Sequence, residues 1–149
     1  MDDAKVYQEL RFELTRLATA LVGPWEAEDV VSTVVVRVLE RPGGLAGLDE
    51  PRRYLMRSVI NEARSRLRSR RRWRMQPLDP LSDLPRVDYR DELVDVVGKL
   101  PVQQRAATFL VYWEGHTSTS AAVLMGCRPA TVRRYLHLAR KKLKEVLDE

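Results

Sequence analysis

Thr117-Ser118-Thr119-Ser120-Ala121-Ala122-Val123-Leu124-Met125-Gly126-Cys127-Arg128-Pro129-Ala130-Thr131-Val132-Arg133-Arg134-Tyr135-Leu136-His137 is the stretch that decides the fold. A short helix of small residues ends at Gly126, where a left-handed backbone costs little. Pro129 then stands where a helix starts readily, because a first-turn residue has no intrahelical partner for its N–H. The residue before a proline is also biased away from helical geometry, which places the start at Pro129. Beyond it, Val132, Leu136, Ala139, Leu143 and Val146 share one face at helical spacing. Ala130, Arg133, Arg134, His137, Lys141 and Lys144 share the other. A helix apolar on one side and basic on the other, entered through a tight glycine turn, suits docking in a DNA major groove. The same periodicity suits a core helix with a solvated charged face, so the charge distribution has to choose.

The 149 residues are 44% apolar, enough for one compact domain or two small ones, and the formal charge is +5. That charge is unevenly spread. Residues 1–51 carry five Lys/Arg against ten Asp/Glu, whereas residues 52–75 carry ten Arg against Glu62 alone. Residues 76–127 return to four bases and seven acids, and residues 128–144 hold seven Lys/Arg and no acid. Two basic blocks, each following an acidic one, look like two polyanion contacts joined by a linker. A merely solvated surface more often intersperses its signs.

Other classes fall away. No apolar run approaches the ~18–20 residues of a transmembrane helix, so no membrane insertion is expected. Met1-Asp2-Asp3 lacks the charged-then-apolar layout of a signal peptide, which leads to an expectation of a cytoplasmic protein. Cys127, His116 and His137 have no metal-ligand spacing, and a single cysteine forms no internal disulfide. Gly43-Gly44 and Gly47 lack the strand-to-helix context of a phosphate loop. Glu28-Asp29 has no base or metal partner in the sequence. No catalytic residue, metal or cofactor is expected, and the chain does not read as an enzyme.

The expected architecture is all-α, with two small helical domains joined by a flexible linker. Leu10, Leu14, Leu17, Ala18 and Leu21 mark a first amphipathic helix, broken at Gly23-Pro24. Trp25 to Glu40 restarts with acidic Glu26, Glu28 and Asp29, which suit the positive end of a helix. Its valine run is β-branched and strand-like, yet the flanking acidic turn and Arg37 and Glu40 favour a helix of about four turns. A Gly/Pro loop covers Arg41 to Glu50. A third helix from Pro51 passes through Tyr54, Leu55, Val59, Ala63 and Leu67 into a run of arginines. Pro77, Pro80 and Pro85 make residues 75–88 an extended linker. Helices are then expected over Tyr89–Val97, Val102–Trp113, Thr117–Met125 and Pro129–Leu147.

In this order the parts resemble the extracytoplasmic-function sigma factors of the sigma-70 family, of actinobacterial type, which keep only the second and fourth sigma regions. The resemblance covers about residues 10–75 and 89–147. Its strongest element is Leu100-Pro101-Val102-Gln103-Gln104-Arg105-Ala106, followed by Tyr112-Trp113-Glu114-Gly115, Gly126-Cys127, Thr131-Val132 and Leu136-His137-Leu138-Ala139-Arg140. Ala27-Glu28-Asp29-Val30-Val31 looks like the family's core-polymerase helix, and Pro51-Arg52-Arg53-Tyr54-Leu55 with Asn61 and the arginine run looks like its promoter-melting helix.

The resemblance implies a region-2-like domain over 1–75, a linker over 76–88 and a region-4-like helix-turn-helix domain over 89–149. It implies that Arg128, Thr131, Arg133, Arg134, His137 and Lys141 contact the −35 element. Tyr54, Arg57, Asn61, Arg64 and Arg68 would contact the −10 element. On their own chemistry Tyr54 equally suits capping the core, Asn61 a solvated position, and Trp73 either stacking on a base or packing at the helix end. Glu28, Asp29, Ser32 and Thr33 would contact core RNA polymerase. The loop from Arg41 to Asp49 would hold a flipped-out base. Implied partners are core RNA polymerase, promoter DNA and, as in many family members, an anti-sigma factor, which nothing in the sequence identifies. The chemistry agrees, since melted bases need stacking surfaces and a positive groove, and two tethered contacts raise each other's effective concentration.

The chain departs from the family pattern at several places. Ser32 and Thr33 replace a Gln and an acidic residue, and Ser65 stands where an Asp is frequent. Ser120 and Ala121 replace an acidic and a bulky apolar residue, which is expected to thin the packing of the two helices. Arg128 replaces the usual Ser cap and cannot accept the orphan N–H bonds of the helix. Arg134-Tyr135 stands where Ser-Arg is common. The rival readings are a stand-alone helix-turn-helix transcriptional regulator, which would ordinarily want two half-sites, and an RNA-binding adaptor.

Overall fold

The computed structural model describes residues 2–74 and 97–148. The expected linker, and the helix expected over Tyr89–Val97 apart from Val97, lie outside the described residues. Every regular element described is helical: α1 (Asp3–Val22), α2 (Pro24–Leu39), α3 (Pro51–Arg74), α4 (Val102–Thr108), α5 (Ser118–Met125) and α6 (Pro129–Leu147). A π-helical turn, Phe109–Trp113, continues α4. The fold is all-α, with an N-terminal unit of α1–α3 and a C-terminal unit of α4–α6 that carries the helix-turn-helix.

α1 begins two turns earlier than its leucine pattern indicated. Asp2 caps it by accepting from the Lys5 N–H at 2.8 Å, and Val6 extends the buried stripe back from Leu14. Gly23, at φ +88°, ends the helix, and its N–H donates to the Thr19 carbonyl at 2.9 Å before Pro24 starts α2. The valine run is helix. A valine costs about 0.5 kcal/mol of helix propensity, but burying one is worth ~1.5 kcal/mol or more. Val30, Val31, Val34, Val35 and Val38 are all buried, so tertiary burial decides.

α3 packs Leu55, Met56, Val59, Ile60 and Ala63 inward against Leu14, Leu17 and Leu21 of α1 and the valines of α2. The same apolar cluster continues into Ala106, Ala107, Leu110, Ala121, Leu124, Val132 and Leu136. The two units are therefore docked on one another through a continuous core. Three arginines fasten the junction. Arg105, buried on α4, donates to the carbonyls of Leu21, Gly98 and Leu100, and burial followed by the charge of Arg70 pulls its pKa below the usual guanidinium value. Arg16 grips Glu114 with two bonds of 2.9 and 3.2 Å. Arg57 donates to the Val123 carbonyl at 3.3 Å.

The expected single helix over Val102–Trp113 is split by the π turn, in which the Glu114 N–H reaches the Phe109 carbonyl at 3.0 Å. The wider turn buries Leu110 and brings Glu114 to Arg16.

Two positions on α1 test this packing. Leu14→Ala empties a fully buried site and is expected to lower unfolding free energy by about 2–5 kcal/mol in urea titration. Phe12→Ala, at a site 72% exposed, is expected to stay within about 0.5 kcal/mol of the parent.

Candidate nucleic-acid interface

The helix-turn-helix is built locally. Thr117 and Ser120 form a reciprocal capping box at the start of α5: the Thr117 hydroxyl accepts from the Ser120 N–H at 3.0 Å, and the Ser120 hydroxyl accepts from the Thr117 N–H at 3.0 Å. His116 Nδ1 lies 3.1 Å from the same Ser120 oxygen. Ser120 was expected to thin the helix pair; it sits half-buried at the cap and takes the reciprocal role an acidic side chain can fill there. Ala121, by contrast, is fully buried in the core cluster. Gly126 then turns left-handed at φ 72°, and the Cys127 N–H bonds the Ala122 carbonyl at 3.0 Å.

α6 follows with Arg128 as its extended N-cap residue and no side-chain cap bond. The Arg128 carbonyl accepts from the N–H groups of Thr131 and Val132 at 3.0 and 3.2 Å. Val132, Leu136 and Ala139 are buried against α5 and α4, and Leu143 is half-buried. Opposite them, Arg128, Arg133, Arg134, His137, Arg140 and Lys141 are exposed, with Thr131 half-buried at the edge. Among the described residues, none of the basic side chains on α6 has an ion-pair partner. The face is a stripe of unneutralised positive charge on a helix braced from behind, a geometry that fits a phosphate-lined groove.

The arginines of α3 divide by the same criterion. Arg52 is held by Glu13 on α1 and Arg53 lies 3.8 Å from Glu50. Arg66 donates to Asp29, to Glu62 at 3.1 Å and to the Thr33 hydroxyl at 2.9 Å. Glu62 also accepts from Arg37 at 2.8 Å, and Glu26 pairs with Arg70. Burial works against the Arg66 charge, but the bonds to Asp29 and Glu62 outweigh it and raise its pKa. Asn61, Arg64 and Arg68 are exposed, and neither Arg64 nor Arg68 is ion-paired among the described residues. Their spacing of three and four residues puts them on one side of α3.

Arg57 belongs to a different set in this arrangement. It lies under the C-terminus of α5, so close that a Cβ at Gly126 would meet its Nε at 2.5 Å. Tyr54 is 38% exposed, with the Arg41 guanidinium 5.2 Å over its ring and hydrogen-bonded to its hydroxyl. The side chain of Trp73 lies outside the described residues.

α2 carries a third surface. Glu28 and Ser32 are exposed at helical spacing, while Asp29 and Thr33 turn partly towards Arg66. Beside Glu28 and Ser32 stand three exposed apolar side chains that periodicity assigned no role: Trp25, Val36 and Leu39. The only signal in the sequence was Ser32 interrupting the valine run on the side that Val36 shares.

A two-unit helical protein with a braced, uncompensated basic helix-turn-helix defines a DNA-binding protein. Residues 6–73 match the family profile for Sigma-70 region 2, and residues 90–143 match that for Sigma-70, region 4. The chain belongs to the sigma-70 family, in its extracytoplasmic-function class, and as a sigma factor it directs RNA polymerase to promoters. It is 30% identical over 142 residues to the RNA polymerase sigma-E factor of Streptomyces avermitilis, covering 91% of this chain and 79% of that one. It is 29% identical over 141 residues to the RNA polymerase sigma-E factor of Streptomyces coelicolor, covering 90% and 79%. The sigma factor RpoE of Bartonella quintana, solved with the anti-sigma factor NepR, shares the fold at a TM-score of 0.67 and 23% identity over 95% of each chain.

Thr117→Ala removes the cap acceptor and is expected to cost about 1 kcal/mol, with Thr117→Ser close to neutral, measured by thermal unfolding. Half-buried Cys127 has its thiol pKa raised, by burial first and against the opposing charge of Arg57. Its thiolate fraction near neutral pH is therefore below that of a free cysteine. Iodoacetamide is expected to alkylate it more slowly than it does a denatured control, and the rate should climb as pH rises.

Proposed function

We propose that promoter recognition by this chain is divided among three surfaces. Arg128, Thr131, Arg133, Arg134, His137 and Lys141 read the −35 element in the major groove, where Arg pairs bidentately with guanine. Asn61, Arg64 and Arg68, with Tyr54 as the stacking surface, engage the melted −10 element, and the loop from Arg41 to Asp49 receives an extruded base. Glu28 and Ser32, flanked by Trp25, Val36 and Leu39, dock on core RNA polymerase, with Asp29 and Thr33 bracing that face through Arg66. Arg57 joins the −10 surface only when the C-terminal unit moves away from it. The domains run over 1–75 and 89–149, joined by residues 76–88.

The observation that carries this reading is the partition of arginines. Those that fold the protein have carboxylate or carbonyl partners, as Arg57 does in the docked arrangement, whereas Arg64, Arg68, Arg128, Arg133 and Arg134 have none among the described residues. A carboxylate partner would have to be given up before a phosphate could be bound, so unpaired cations bind DNA at lower cost. Affinity should fall steeply with salt, because phosphate contacts release counterions.

The chain has no catalytic role of its own and works in the cytoplasm, where polymerase and promoters are. The structural neighbour binds an anti-sigma factor; a protein of that class, closing on the docked pair of units, is the proposed regulator.

Co-migration with bacterial core RNA polymerase, followed by run-off transcription on a promoter library, tests the assignment. New promoter-selective transcripts are expected. Tight binding to duplex DNA without polymerase association would remove Glu28, Ser32 and their apolar flank from the polymerase contact. Arg134→Ala is expected to change which −35 sequences fire, by about tenfold at the contacted base; unchanged selectivity removes Arg134 from the readout.

A further inference from the structure

The α2–α3 loop is ordered by a residue far from it in sequence. Its own backbone makes short-range turns, with the Gly44 N–H on the Arg41 carbonyl at 3.1 Å, Gly47 on Gly43 at 2.8 Å and Leu48 on Leu45 at 3.2 Å. Leu45 plugs the core at 1% exposure. Between these anchors the first residue of α1 reaches in: Asp3 Oδ1 accepts the Ala46 N–H at 2.8 Å. Gly44 is left-handed at φ +57°, and a Cβ there would lie 2.7 Å from Asp3 Oδ2. The carboxylate thus occupies the space that glycine leaves open.

Capping does not account for Asp3. Asp2 already caps α1 by accepting from the Lys5 N–H. The Asp3 carboxylate is spent on a loop 43 positions away. The loop's outward rim, Arg41, Pro42, Gly43, Ala46, Gly47 and Asp49, is exposed, and Arg41 at its entry lies over Tyr54.

We propose that Asp3 is a positioning residue for base reading, its carboxylate holding Gly44–Ala46 so that the loop rim and Tyr54 meet an extruded −10 base in one preset shape. The inference rests on the reading that this loop receives such a base. A rim held in its bound shape loses little conformational freedom on binding and discriminates between bases, whereas a loose one adapts to several.

The test uses the full chain with core polymerase, comparing Asp3→Ala, Asp3→Asn and Gly44→Ala. Asp3→Ala is expected to speed exchange of the Ala46 amide by about tenfold, the loss of one hydrogen bond to a charged acceptor. On libraries randomised separately at −10 and −35, it should flatten base preference at −10 and leave the −35 ranking unchanged. Asp3→Asn, whose carbonyl oxygen accepts the same N–H, should retain both properties. Gly44→Ala, which both strains a left-handed residue and drives a Cβ into the carboxylate, should reproduce the flattening by distorting the same loop, and so tests the preset rim if Asp3→Ala folds poorly. Unaltered Ala46 exchange in Asp3→Ala overturns the proposal, as does faster exchange with −10 preference intact. A uniform loss on every promoter, shared by Asp3→Asn, also overturns it. If the parent protein shows no −10 preference at all, the base-reading role falls together with the reading beneath it. Ala46 exchange then still reports whether Asp3 holds the loop.

Discussion

α3 has to satisfy two opposed demands along one helix, and the rest of the molecule is arranged around that constraint. Leu55, Met56, Val59, Ile60 and Ala63 are buried while the same helix carries a dense run of arginines. Packing that face brings guanidinium groups close to a low-dielectric core, where an unpaired charge is costly. The neighbouring helices supply the compensation: Glu13 from α1 for Arg52, and Asp29 and Glu26 from α2 for Arg66 and Arg70. The acidic bias of residues 1–51 is the inward counterpart of the basic block that follows it. On α3, Arg64 and Arg68 are reached by neither an acid nor a carbonyl among the described residues, and their charge is left uncompensated.

The same chemistry joins the units. Arg105 donates through its two terminal nitrogens to carbonyls rather than carboxylates, including that of Leu21 at the end of α1, while its buried Nε has no partner. Hydrogen bonds to carbonyls are weakly affected by salt, unlike the exposed Arg16–Glu114 pair, which contributes little on its own. The apolar cluster that continues from α1–α3 into α4–α6 therefore provides most of the docking, and the arginines set its register. Arg57 sits at this junction, donating to the Val123 carbonyl at the end of α5; under the proposed −10 role, the same guanidinium would have to leave that bond before it met DNA.

Much of this could be read from the residues in order. Gly126, Pro129 and the spacing of Val132, Leu136 and Ala139 led to a helix-turn-helix, because turn chemistry and helical period are local properties of the chain. The valine run of α2 was harder, since propensity and burial oppose each other there and only packing resolves them. The start of α1 was placed too late, because the Asp2 cap is a weaker signal than the leucine stripe. The π turn after Thr108 left no pattern to read: its register serves Leu110 and the Glu114–Arg16 contact, both set by a distant helix.

Sequence alone determined the helical class, the two basic blocks, the helix-turn-helix and the resemblance that named the family, because these depend on period, turn residues and charge along the chain. It could not say which arginines are free. Arg57, Arg64, Arg66 and Arg68 are chemically alike and nearly adjacent, yet Arg66 is enclosed by Asp29, Glu62 and Thr33, Arg57 lies under α5, and Arg64 and Arg68 face outwards. Tertiary structure made that division, because the partner of a long, flexible cation is set by which carboxylates and carbonyls the fold brings within hydrogen-bonding distance. The role of Asp3 in holding Ala46 was decided in the same way.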